Sequence, residues 1–225
     1  MNAPRARVAR RPVHGVLLLD KPLGFSSNQA LQKAKWLLRA EKAGHTGTLD
    51  PFATGLMILV VGKECRNAGN YSKLDKVYEA TFRLGQVSTT GDPEGELTGV
   101  SDRRPTREEV EQVAARYVGK IMQRPPIFSA IKINGQRAYK LARDGKEVEI
   151  PERQVEVFSL EIMQYTYPEL TIRTHVSSGT YIRSLCVDIG EALATGAYCT
   201  QLRRTRIAEW DVNDAQQLSD FGIEN

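Results

Sequence analysis

At 225 residues with 41% hydrophobic content, the chain can bury a real core as one large domain or two small ones. Its longest apolar stretch, Leu56 to Val61, is strand-sized and far short of the roughly 20 residues that cross a bilayer, so no membrane role is expected. The net charge of +4 has the sign of an RNA binder, but Arg5, Arg7, Arg10 and Arg11 of the acid-free N-terminal tail supply all of it, leaving 27 basic residues against 27 acidic ones.

That tail, residues 1–14, reads as a flexible basic arm, a targeting peptide or a solubilising terminus. From Val16 to Asp20 the pattern is a short buried strand, turned by Lys21-Pro22-Leu23-Gly24 toward a helix that Ser26 or Ser27 caps and that runs to about Arg39. Gly44 to Gly55 is dense in Gly, Thr and Pro and reads as a loop, followed by a strand over Leu56 to Val61 and a helix from Lys63 to about Ser72.

Val77 to Leu84 alternates as a strand does, Gly91-Asp92-Pro93-Glu94-Gly95 is a polar turn, and Thr106 with Glu109 forms a capping box. Asn134-Gly135 signals a hairpin or tight turn, with a helix after it that stops near Gly145, so residues 125–151 look like a projecting excursion. Arg153 to Tyr167 and Glu169 to Val176 suggest an antiparallel pair, with Leu170, Ile172, Thr174 and Val176 on one face and Thr171, Arg173 and His175 on the other. A helix over Tyr181 to Thr195 and a strand over Ala197 to Ala208 complete one α+β domain, expected to span residues 15–210.

Cys65, Cys186 and Cys199 lack the paired spacing of a zinc site or disulfide framework and read as buried, reduced thiols of a cytoplasmic protein. Arg203, Arg204 and Arg206 form a basic cluster of the kind that contacts RNA or coats a solvated face.

The candidate chemistry centres on Gly44-His45-Thr46-Gly47-Thr48-Leu49-Asp50-Pro51, which holds one acid among glycines that allow close approach to the backbone. An aspartate in a turn is ordinarily a structural cap. Its company raises the odds of function: Lys21-Pro22, Lys76-Val77-Tyr78, Ser178-Gly179-Thr180-Tyr181-Ile182-Arg183 and Gln201-Leu202-Arg203-Arg204. At these points, from about Gly15 to Arg204, the sequence resembles the TruB-type family of tRNA pseudouridine synthases.

The resemblance implies a pseudouridine synthase fold: a mixed, mostly antiparallel β-sheet flanked by helices, with an RNA-binding thumb at residues 125–151. It implies isomerisation of a uridine in the tRNA T loop, at tRNA position 55, with no cofactor and no metal. Asp50 is then the essential aspartate, acting as a nucleophile on the ribose or as a base in a glycal-forming route. Arg183 is then the fixed cation that keeps the Asp50 carboxylate ionised where burial would otherwise neutralise it.

Tyr78 is expected to stack on the target uracil and Tyr181 to line the site, stacking being worth roughly 1 to 3 kcal/mol per base. Leu202 is expected to press against the bound base, and His45 to occupy the space of the flipped base or stack on T-loop nucleotides. Lys21 is expected near phosphate or as a brace for the catalytic loop, and Lys132, Arg137, Lys140 and Arg143 of the thumb on the RNA backbone. The expected partner is the tRNA T arm or another RNA, with no membrane and no obligate protein partner. The family's C-terminal PUA domain has no counterpart in residues 211–225.

Three rivals are a synthase of the same fold for another RNA, a non-catalytic RNA-binding or RNA-folding protein, and a metal hydrolase built on His45 and Asp50. The last has only His14 and His175 as further histidines and no second carboxylate in its loop.

Overall fold

The computed structural model describes residues 10–129, 132–133, 136–137 and 150–221. The chain divides into two compact units, Met1–Ser72 with Glu209–Asn225, and Lys73–Ala208.

In the first unit, strand β1 (Gly15–Lys21) runs antiparallel to β3 (Thr54–Val61), from the pair Gly15 and Val61 to the pair Lys21 and Gly55. Strand β2 (Ala43–Thr46) pairs with the same Val61, so β1 and β2 flank β3. The continuous apolar run of β3 suits this position, since Gly55 through Val61 are all buried. Helix α1 (Ser27–Leu37) lies between β1 and β2 in the chain. Ser26 caps it in a reciprocal box with Gln29, and Ser27, Ala30, Leu31 and Ala34 form its inward face.

Two expectations are corrected here. The loop predicted over Gly44 to Gly55 is strand at both ends, because β2 hydrogen-bonds along β3, a pairing that composition does not reveal. The helix predicted from Lys63 to Ser72 is a 3-10 segment, Gly62–Asn67, followed by a single-turn α2 (Ala68–Ser72). Neither piece buries a residue, so packing does not sustain a longer helix. Cys65 is likewise only half-buried, its thiol turned to the Val60 carbonyl, whereas Cys186 and Cys199 are buried. The returning segment beyond Glu209 sets Trp210 5.6 Å from the Tyr71 ring and bonds Gln216 to the backbone of Leu18 and Asp20.

In the second unit, β4 (Lys76–Leu84) is followed by a hairpin of β5 (Gln86–Ser88) and β6 (Leu97–Gly99). Next come α3 (Arg107–Ala115), capped by the Thr106 and Glu109 box, and β7 (Gly119–Gln123). The short strands β8 (Lys132–Ile133) and β9 (Gln136–Arg137) pair antiparallel around the predicted Asn134-Gly135 turn. The turn residues themselves, and the predicted helix with Lys140 and Arg143, lie outside the described residues. Strands β10 (Arg153–Thr166) and β11 (Glu169–Val176), helix α4 (Ile182–Ala192) and β12 (Ala197–Ile207) complete the unit.

The sheet order is β12-β4-β11-β10-β7, antiparallel throughout. Burial alternates strictly along β4, and Leu170, Ile172, Thr174 and Val176 of β11 are the buried set, the face read from the sequence. Helix α4 packs on β12 and β4, and α3 on β10. Gly190 makes the first contact possible, since a Cβ there would stand 2.5 Å from the Ala197 backbone nitrogen. No helix among the described residues is long and apolar enough to cross a membrane.

Candidate active site

Asp50 sits half-buried between β2 and β3, and both of its neighbouring peptides are tied down. The Ser27 hydroxyl, 2% exposed at the start of α1, donates to the Leu49 carbonyl at 2.9 Å and accepts from the Leu49 N–H at 2.7 Å. On the other side the Gly24 N–H donates to the Pro51 carbonyl at 2.9 Å, and the Ala53 N–H closes a turn onto the Asp50 carbonyl at 3.1 Å. Gly24 holds φ at +81, a conformation costly for a side chain. Lys21 is fully buried, and its ammonium donates to the carbonyls of Pro22 at 3.0 Å and Phe25 at 2.5 Å, bracing the turn that carries Gly24. His45 is half-buried in β2, opposite Leu59.

In the second unit, Tyr78 of β4 stands opposite Arg204 of β12, and Leu202 opposite Ala80, all on the buried face of those strands. The Arg204 guanidinium lies 3.5 Å from the Tyr78 hydroxyl and is 1% exposed. This corrects the reading of Arg203, Arg204 and Arg206 as a surface cluster. Arg204 lies two residues beyond Leu202 in regular register with β4, so it shares the inward face while Arg203, Thr205 and Arg206 remain half-buried or exposed. Beside it, burial first and the Arg204 charge second push the buried Lys76 amine down to about 8.

Tyr181 is the N-cap residue of α4 and Arg183 lies in its first turn. Gln123 grips the Tyr181 backbone twice, accepting from its N–H at 2.8 Å and donating to its carbonyl at 3.0 Å. The Arg153 guanidinium lies 5.1 Å from the centre of the Tyr181 ring. Arg183 donates to Asp92 Oδ2 at 2.9 Å, to the Thr90 carbonyl at 2.9 Å and to the Phe128 carbonyl at 2.8 Å. Its side chain and that of Asp92 are each 4% exposed. The Arg183 guanidinium is thus oriented by a buried carboxylate that the sequence presents only as one member of a polar turn. Asp92, Ser27, Gln123 and Arg204 all escape sequence reading as parts of this arrangement. A period-two count from Leu202 would have found Arg204, and no local signal marks the others.

Among the described residues no cluster of three or more His, Cys, Asp or Glu side chains is placed to hold a metal. The first unit offers an aspartate on a backbone held at both flanks, and the second, taken by itself, offers tyrosines and an apolar side chain near buried guanidinium groups. These suit binding a flat polar ring and stabilising negative charge.

Residues 35–182 match the TruB family pseudouridylate synthase N-terminal domain, and residues 183–223 match the tRNA pseudouridylate synthase B C-terminal domain. A tRNA pseudouridine synthase B of Burkholderia mallei is 47% identical over 216 residues, which cover 96% of this chain and 70% of that protein. One of Cupriavidus pinatubonensis is 48% identical over 215 residues, 94% of this chain and 68% of that protein. Among solved structures, a Cbf5-Nop10-Gar1 complex aligns with a TM-score of 0.73 at 30% identity, over 92% of this chain and 53% of the other. An H/ACA RNP bound to a substrate RNA containing 2'-deoxyuridine aligns at 0.70 and 28%, over 92% and 52%. The chain therefore spans about half the length of these solved chains. These likenesses establish the pseudouridine synthase fold, and with about two thirds of its residues, 35–182 of 225, inside one family match the chain belongs to the TruB family of pseudouridylate synthases.

Proposed function

We propose that the chain converts uridine to pseudouridine in the T loop of tRNA, at position 55, with Asp50 as the acting carboxylate. The observation that carries this reading is the 47% identity across 96% of the chain to a protein named tRNA pseudouridine synthase B. The reaction breaks the bond from ribose C1′ to uracil N1 and makes one from C1′ to C5. The C5 proton leaves and N1 gains one, so the change is an isomerisation with no oxidant, reductant or leaving group.

Asp50 acts either by attacking C1′ or by removing the C2′ proton on the way to a glycal, and both routes need the ionised carboxylate. The ties on Leu49 and Pro51 support this role, because a reacting group must be held to within a fraction of an ångström. Tyr78 is assigned the stacking platform for the uracil and a part in removal of the C5 proton. Arg183, oriented by Asp92, is assigned the fixed positive charge of the reaction. Leu202 and Tyr181 are assigned contacts to the base, and His45 a place against T-loop nucleotides.

A test uses unmodified tRNA labelled with tritium at uridine C5 and follows tritium release by the parent and by Asp50→Asn. Release by the parent that is lost in a folded, tRNA-binding Asp50→Asn supports the reading. Equal release by both refutes the role of Asp50, and no release by the parent refutes the reaction. The likeness to an RNP bound to a substrate RNA favours one second reading, a synthase for another RNA. Mapping the modified nucleotide separates the two.

A further inference from the structure

The overall charge balance conceals a local excess at the far end of α1. From Ser27 to Lys42 the chain carries Lys33, Lys35, Arg39 and Lys42 against the single acid Glu41, and α1 itself contains no acid. Arg11 is joined to this end of the helix, its N–H donating to the Arg39 carbonyl at 2.8 Å. Among the described residues, Lys33, Lys35, Arg39 and Lys42 form no ion pair. In their midst Trp36 is 64% exposed, with the Lys33 ammonium 5.0 Å from the centre of its ring.

An indole in that setting lacks the apolar surround of a protein interface, whose core is depleted in lysine. Its exposed neighbours on α1 are Asn28, Gln29, Gln32 and Lys33. An aromatic face among unpaired cations instead suits a single strand of nucleic acid, whose bases stack while its phosphates meet the charges. The patch is also tied to the Asp50 loop by two elements of the same unit. Helix α1 begins at Ser27 on the Leu49 peptide and carries Trp36 in its last turn, roughly 14 Å along its axis. Strand β2 follows Lys42 and leads back into the loop.

We infer that Trp36 with Lys33, Lys35, Arg39 and Lys42 forms a second RNA contact that holds tRNA nucleotides outside the reacting one, with Trp36 as the stacking platform and the cations on phosphates. The inference rests on tRNA being the substrate. A contact of this kind anchors the RNA without touching the reacting atoms, so it lowers Kd and KM and leaves the chemical rate alone.

The experiment measures tRNA affinity as a function of salt, and the single-turnover rate at saturating enzyme, for the parent, Trp36→Ala, Trp36→Phe and the double change Lys33→Gln with Lys35→Gln. Trp36→Ala is expected to raise Kd by about five-fold or more, while Trp36→Phe retains most of the affinity. The double change is expected to flatten the slope of log affinity against log salt by about 1.4 to 1.8. All three keep the parental saturating rate. Affinities and slopes equal to the parent's in an active enzyme overturn the inference. So does an unchanged tRNA affinity in a Trp36→Ala protein that dissociates a self-associating parent in sedimentation, which assigns the face to a second copy. A parent that makes no pseudouridine but loses tRNA binding through these variants sinks the proposed reaction and keeps the RNA face. A parent that binds no tRNA overturns both.

Discussion

Replacing Ser27 by alanine removes one oxygen and strands two backbone groups. The Leu49 N–H loses an acceptor at 2.7 Å and the Leu49 carbonyl loses a donor at 2.9 Å, at residues only 2% and 3% exposed. Each unmet buried group costs about 1 to 3 kcal/mol, so the 49–50 peptide has reason to leave its place. If about 2 kcal/mol favours the displaced loop, only some 3% of molecules keep Asp50 in position, a roughly 30-fold fall in rate. The expected result is a 10- to 100-fold drop in single-turnover tritium release at saturating tRNA, with tRNA affinity changed by less than about two-fold. Ser27→Thr, which keeps the oxygen, recovers much of the rate. A thermal melt run beside the assay, with the rate taken well below the transition, separates loop placement from loss of fold. The reasoning fails if Ser27→Ala reacts at the parental rate, or if it loses stability while its low-temperature rate is untouched.

Asp92→Ala leaves the Arg183 guanidinium buried without its carboxylate, and urea unfolding should show about 3 to 5 kcal/mol of lost stability. Changing Asp92 to leucine and Arg183 to methionine together should restore most of that stability and none of the activity, and an active double variant would remove Arg183 from the chemistry. Asp188 on α4 has its carboxyl pushed up from 3.8 to about 6, by burial first and then by Glu191 and Glu152. Between those two pH values the folded state binds more protons than the unfolded one, so stability falls as pH rises through the window, and the full cost is present above it. Asp188→Asn should therefore raise stability at pH 7 by about 1 kcal/mol, after allowance for partial solvation, and change nothing below about pH 4. Melting temperatures that differ equally at both pH values would refute this account.

Local periodicity and capping chemistry were enough to determine from sequence where most elements lie. The Ser26 and Thr106 caps close with their Gln29 and Glu109 partners three residues on, and the alternation in β4 and β11 assigns the buried faces. These signals are legible because every interacting residue lies within a turn or two of the chain. Asp50, Tyr78, Tyr181, Arg183 and Leu202 are nominated instead by resemblance to the family's motifs.

What only the tertiary structure decided is how those side chains are held. Ser27 meets Leu49 across 22 residues, Gln123 meets Tyr181 across 58, and Asp92 meets Arg183 across 91. In sequence these residues are a second serine near a cap, a glutamine at a strand end and an acid in a polar turn. The strand formed by Ala43 to Thr46 belongs to the same class, since it depends on β-pairing with Ile58 to Val61 farther along the chain. Local sequence reports propensity and phase. Burying a charge or clamping a loop requires partners that only folding brings within hydrogen-bond reach.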